Sequence, residues 1–167
     1  MSAALFEAIQ GAIDAVVSKA LQGVHTSCPG VVESFDNGII SVQPTVSIIG
    51  ADGEAVKMPV IVDVPVVYPR SGEFSITFPL KKGDGVLLVF CETSIDGYHE
   101  TGGVSTQSDS RRHSLTDAVA IPGFFGKSLG KAPKSWGSTE INFGDSVIEM
   151  KKDGTIDMNS GALTVKK

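Results

Sequence analysis

The stretch Ile141-Asn142-Phe143, Ile148-Glu149-Met150, Ile156-Asp157-Met158, Leu163-Thr164-Val165 decides how the C-terminal part of this chain folds. Each triplet reads apolar, polar, apolar, and the triplets start at residues 141, 148, 156 and 163. Alternation with a period of two is the mark of a strand with one buried face. Between the triplets stand the turn formers Gly144-Asp145, Asp153-Gly154 and Ser160-Gly161. The pattern predicts a ladder of very short strands joined by tight turns. A single ladder of this kind has nothing to bury its apolar face against. It therefore predicts an assembly, with Ile141, Phe143, Ile148, Met150, Ile156, Met158, Leu163 and Val165 turned toward a shared core.

Four segments emerge on working outward from this ladder, which occupies residues 139–167. Residues 126–138 are rich in Gly, Lys, Ser and Pro and read as a linker. Residues 24–125 read as a domain of short strands. Gly30–Phe35 runs into Asp36-Asn37-Gly38, a hairpin signal, and returns as Ile39–Gln43. Thr45–Gly50 and Glu73–Phe78 alternate. Met58–Val67 is apolar and β-branched but carries Pro59 and Pro65, which fit an edge or bent strand. Lys81-Lys82-Gly83-Asp84-Gly85 is a turn leading into Val86–Cys91, the most apolar strand. Residues 97–117 read as a long polar surface loop, and residues 119–125 return to apolar character. About five short strands in this length suit a small closed barrel of the OB type. Residues 1–23 read as an amphipathic helix over 2–21, with Leu5, Ile9, Ala12, Ile13, Val16, Ala20 and Leu21 on one side and Gly23 as a stop. Such a helix either closes one end of the barrel core or docks on a partner protein.

Composition narrows the function classes. Of 167 residues, 41% are hydrophobic, enough for a packed core; 19 glycines and 8 prolines favour an all-β domain with many turns. The net charge of −5 argues against neutralising phosphate as the main task, so no nucleic-acid substrate is expected. Cys28 and Cys91 form no metal motif. A bridge between them stays open, but nothing else suggests a disulfide scaffold, and they read as reduced, buried thiols. No apolar run approaches the roughly 20 residues of a membrane span. Glu7 and Asp14 interrupt the first apolar stretch, so synthesis in the cytoplasm without a signal peptide is expected.

The candidate chemistry is thin. His25, His99 and His113 are widely separated, and polar loop positions suit them better than a metal site. Arg111-Arg112-His113 lacks the interleaved aromatics of a nucleic-acid patch; arginine forks there suit carboxylates such as Asp109 or Asp117, or a partner's acidic groups. Glu92 and Asp96 would need a cleft and a raised pKa to act as a hydrolytic pair. A phosphate-binding glycine loop, a Gly-x-Ser-x-Gly elbow and a His-Glu-x-x-His motif are all missing. No catalytic residue, cofactor or metal is expected. An OB-fold protein that binds oligonucleotides or oligosaccharides, and a cell-wall hydrolase attached to a tail, are the competing classes. Net charge, the aromatic content of 7% and the terminal ladder weigh against the first. The lack of a catalytic constellation weighs against the second.

Several stretches between about residues 24 and 125 resemble, in order, the Gp138-type membrane-puncturing spike proteins of contractile phage tails. They are Val42-Gln43-Pro44, Pro59–Val66, Pro79–Phe90, Ile95-Asp96 and Arg111–Ala118, followed by Ile121-Pro122-Gly123. Arg111, Arg112, His113 and Asp117 are the family-motif residues, expected to be structural. The resemblance implies a homotrimer in which an OB-type domain sits on the baseplate hub and leads into a short triple-stranded β-helix. It implies a non-enzymatic part of a phage tail or tail-like particle, located in the virion, that meets the host outer membrane transiently. Many such spikes end in an apex that binds iron through His-x-His pairs. Here no histidine follows His113, so the iron tip does not carry over. Either the spike is blunt or a separate tip protein caps it.

Overall fold

The computed structural model describes residues 2–50, 52–107, 109–126, 137–159 and 162–165, in two units that divide after Gly126. Most of the predicted linker, the Ser160-Gly161 turn and Lys166-Lys167 lie outside the described residues.

The first unit opens with helix α1, Ala3–Gln22. The Ser2 hydroxyl accepts from the Leu5 amide at 3.3 Å, and the Gly23 amide returns to the Ala20 carbonyl. The helix therefore starts and stops on its own sequence signals. None of its residues is buried, so it does not close the barrel core, one of the two roles expected of it.

Four antiparallel pairings build the five-stranded main sheet. Its strands are β1 (Ser27–Asp36), β2 (Ile39–Pro44), β5 (Ile61–Pro65), β8 (Gly85–Phe90) and β9 (Ala118–Pro122). The order across the sheet is β5-β2-β1-β8-β9. The β1–β2 hairpin turns on Asn37 and Gly38, with φ of 47° and 84°. Two successive left-handed residues match the right-handed twist of the strands, which is why Asn-Gly serves here. Glu33 bulges out of β1 between Val32 and Ser34, and β5 carries an extra residue around Asp63, where φ is 56°. Bulges add twist and bend. They curl the sheet until its outer strands approach: Val66 bridges Ala120 in parallel, and the Val67 amide donates to the Ala120 carbonyl at 2.8 Å. The result is a curled half-barrel.

Its concave side holds the core. Val32, Ile40, Val42, Val64, Val86, Leu88 and Ala120 are all at most 1% exposed, and Ile61, Leu80, Phe90 and Ala118 complete the cluster. They alternate along β1, β2 and β8 with half-buried outer residues, as one-sided burial requires. Gly30 sits in this alternation opposite both Pro44 and Val86; a Cβ there would lie 2.4 Å from Val42 Cγ1. The curl brings the strands too close for a side chain at this point.

Several expectations are corrected. The Thr45–Gly50 stretch contributes only β3 (Ser47–Ile49), which pairs with β4 (Ala55–Lys57) in a separate hairpin. Glu73–Phe78 contributes only β7 (Phe74–Ser75), paired with β6 (Arg70–Ser71). Alternation alone misled here, because Ile48, Ile49, Phe74, Ile76 and Phe78 all remain exposed and nothing in the sheet covers them. The long polar loop is more ordered than its composition suggests. It holds helix α2 (Asp96–Thr101) and a single helical turn at Leu115–Asp117, and Asp117 is fully buried. Both cysteines are free and half-buried, not fully buried.

In the second unit β10 (Thr139–Phe143), β11 (Ser146–Met150), β12 (Ile156–Met158) and β13 (Leu163–Val165) form one antiparallel meander in chain order. Gly144, at φ 59°, and Asp145 make the first turn, and Gly154, at φ 88°, lies in the second. There the Lys151 amide donates to the Thr155 carbonyl, and Asp153 Oδ1 accepts from the Thr155 amide.

Replacing Gly30 by alanine tests the curled core. The substitution should lower the unfolding free energy by about 1–3 kcal/mol through overpacking, read as a lower urea midpoint at unchanged slope. An unchanged midpoint would show that the sheet relaxes freely at this position.

Candidate functional site

The meander register brings seven of the eight predicted core residues onto one face and sets Val165 opposite one of them, Ile156. Ile141 faces Ile148, Ile148 faces Met158, and Met158 faces Leu163; Met150 faces Ile156, and Ile156 faces Val165. Two apolar rows therefore cross the sheet, with Phe143 beyond the first. Directly opposed residues and those two apart along a strand share a face. Among the described residues of this unit nothing covers that face. Phe143 is 69% exposed, Ile141 and Leu163 55% each, and Met150 40%; Ile156 and Met158 are half-buried by their neighbours. The side chain of Val165 lies outside the described residues.

The opposite face is polar. Glu140, Glu149 and Asp157 oppose one another across three strands, an arrangement of like charges that is unfavourable alone. Lys151 resolves it by pairing with Asp157 and, at 3.6 Å, with Glu149. The hydrogen bond to Asp157 comes first in raising the Lys151 pKa. Asn159, at φ 49°, pins β12 back to β11: its amide donates to the Val147 carbonyl at 2.9 Å, and its Oδ1 accepts from the Val147 amide at 3.0 Å. Neither Lys151 nor Asn159 stands out in the sequence, because their roles depend on the strand register.

A second cluster lies at the end of β8 in the half-barrel. The Arg111 guanidinium donates through Nε to Asp117 Oδ2 at 2.8 Å and through Nη2 to Asp117 Oδ1 at 3.1 Å, a two-point fork. Arg111 also reaches Asp96, Ser94 Oγ at 2.6 Å and Asp109 at 3.1 Å. Asp117 accepts in addition from the Ile95 amide at 3.2 Å, and its carbonyl accepts from Cys91. One arginine thus ties together the segment after β8, the start of α2 and the turn before β9. Its own pKa is raised, first by the Asp117 hydrogen bond and then by Asp96. The Asp96 carboxyl is held below its usual range, chiefly by the Arg111 hydrogen bond. Arg112 pairs with Glu92 at 2.6 Å, and the His113 amide donates to the Glu92 carbonyl at 3.2 Å with His113 at φ 48°. The sequence offered Asp109 and Asp117 as partners for the arginines. Asp96 was missed, since 15 residues separate it from Arg111 with no local pattern between them.

Asp96 and Glu92, the pair weighed for hydrolysis, are instead partners of Arg111 and Arg112, and the Asp96 pKa is lowered where a general acid needs a raised one. Burial pushes the Cys28 and Cys91 thiols up, with Asp117 adding to the rise at Cys91, so both are poor nucleophiles at neutral pH. His25 rests against Phe90 with ring centroids 5.6 Å apart, and His99 lies in α2. The described residues contain no group of three His, Cys, Asp or Glu able to hold a metal. The chemistry on offer is recognition and bracing.

Two outcomes follow for the arginine cluster. Arg111→Ala leaves the Asp117 carboxylate buried without its counter-charge and should cost about 3 kcal/mol, measured by urea unfolding. Arg111→Lys should recover only part of this, because an ammonium cannot fork onto both oxygens. Since the folded state depresses the Asp96 pKa below 3.8, its contribution is present above that value and is lost as pH falls through the depressed pKa. Acid titration of thermal stability should therefore lose part of its low-pH fall in Asp96→Asn; an unaltered profile would remove Asp96 from the bracing.

No curated protein matches the chain. Residues 28–123, more than half of the sequence and the whole of the curled sheet from Cys28 to Pro122, match the N-terminal domain of the phage protein Gp138. The chain therefore belongs to the Gp138 N-terminal domain family of phage proteins, which places it among the structural proteins of phage tails and baseplates.

Proposed function

We propose that the protein is the central spike of a contractile phage tail or tail-like particle, a homotrimer that sits on the baseplate hub and is driven through the host outer membrane. The uncovered apolar face of the C-terminal meander carries this reading. A single chain leaves Ile141, Phe143, Ile148, Met150 and Leu163 in water, and burial of each such side chain is worth roughly 1.5–3 kcal/mol. Three copies about one axis remove that face from solvent. The edges of β10 and β13 then pair with neighbouring chains, and the ladder becomes the shaft of a short intertwined β-helix.

The half-barrel supports the same reading. Strand order β5-β2-β1-β8-β9, with a parallel contact between the outer strands, is what an OB-type barrel requires. In the spike this domain is the collar that meets the hub. The function is mechanical: a shaft whose backbone is paired across chains has few free edges and resists bending as the sheath contracts. No bond is made or broken by the chain, and the outer membrane is a transient contact.

Analytical ultracentrifugation of the full chain should give a trimer; a monomer at micromolar concentration would defeat the proposal. Ile156→Asp or Met158→Asp should dissociate the ladder by setting three carboxylates around one axis, each without a partner. If either variant stays trimeric with an unchanged melting temperature, these residues do not face the axis.

A further inference from the structure

The second surface without a cover is helix α1. None of its 20 residues is buried, and Phe6, Ile13 and Val16 are 58%, 56% and 69% exposed. Its apolar residues follow a heptad seam. Phe6, Ile9, Ile13, Val16 and Ala20 are spaced three, four, three and four apart, and Leu5, Ala12 and Val17 flank them. A helix this apolar gains most of its stability from packing, not from propensity.

The composition of the seam selects the occupant. Phe6, Ile13 and Ala20 fall at one inner heptad position, Ile9 and Val16 at the other. Leucine at the second position favours a pair of helices, whereas β-branched residues there favour three or more; Ile9 and Val16 occupy that position here, and Ile13 is the one β-branched residue at the first. The flanking Leu5, Ala12 and Val17 widen the stripe beyond the strict two-position seam of a dimer, as a three-helix core needs. The charged residues Glu7 and Asp14 lie together on one outer position, and Lys19 borders the seam. None of the three interrupts the inner positions.

We propose that three copies of α1 pack as a parallel, in-register three-helix bundle, so that the occupant of this apolar face is the same face of the two other chains. The inference rests on the trimeric reading. Chains that share one axis at their ladders run parallel and present identical helix residues at the same level, which a seam of matched residues requires. Four residues, Gly23 to Thr26, separate α1 from β1 and give about 13 Å of reach for each helix to turn toward the axis. The bundle and the ladder would then clamp the three half-barrels from both ends of the sequence.

The test uses the full chain with Cys28→Ser and Cys91→Ser, which removes the two native thiols. Ile13→Cys is placed on the seam and Ser18→Cys on the opposite side of the helix. After mild oxidation, the seam variant should give disulfide-linked pairs of chains and the outer variant should not. Sedimentation of both before oxidation separates the two levels of the proposal. A trimer with no linkage at 13, or with equal linkage at 13 and 18, overturns the bundle and leaves the trimeric spike standing. A monomer overturns both. As an independent measure, amide exchange in the unsubstituted trimer should be slowed across residues 9–20. Exchange as fast as in a solvated helix, slowed only once whole tail particles are present, would assign the helix to a different protein.

Discussion

The constraint on which everything else depends is an apolar sheet face that the described residues of the C-terminal unit leave uncovered. The meander is too short to fold back on itself: each strand offers two or three inward positions, and the described residues of the unit form no second layer to receive them. Strands of this length are marginal alone. On the proposed reading, the rest of their stability comes from other copies. On the polar face Lys151 bridges Glu149 and Asp157 and offsets part of their mutual repulsion. The half-barrel contrasts with this. It owns a closed cluster of buried side chains and a fully buried carboxylate whose counter-charge it supplies itself.

How much of this was legible follows from the range of the interactions. The ladder, the Asn37-Gly38 hairpin and α1 were readable because each is set by residues within a turn or two of one another. The apolar period, the left-handed turn pair and the stop at Gly23 are all local. The failures lie where pairing is non-local. Glu73–Phe78 alternates as well as any true strand, yet only Phe74–Ser75 pairs, because a strand exists only if a partner edge is free to receive it. Asp96 joins Arg111 through the path of the chain around the end of the sheet. No spacing rule reports that path. The burial of Asp117 was hidden for the same reason: a lone acidic residue in a polar stretch reads as solvated until its arginine is placed.

In the proposed spike, the arginine cluster and the apolar face would solve opposite problems of a part that is both assembled and loaded. A trimer that passes an axial push from its collar to its shaft cannot allow the collar to deform, since any loop that yields absorbs displacement. Hydrophobic contacts are non-directional and slide; forked, charge-assisted hydrogen bonds fix distance and angle. Arg111 ties residues 94, 96, 109 and 117 to a single planar group, which makes the longest connection of the half-barrel behave as part of the sheet. The shaft has the converse need. It must form from three chains that meet after synthesis, and a non-directional apolar face tolerates imperfect encounter before the backbone pairs lock the register. On the proposed reading, directional bracing within the chain and non-directional burial between chains divide the labour, and the simple apolar alternation of the ladder is the chemistry that such an assembly step would require.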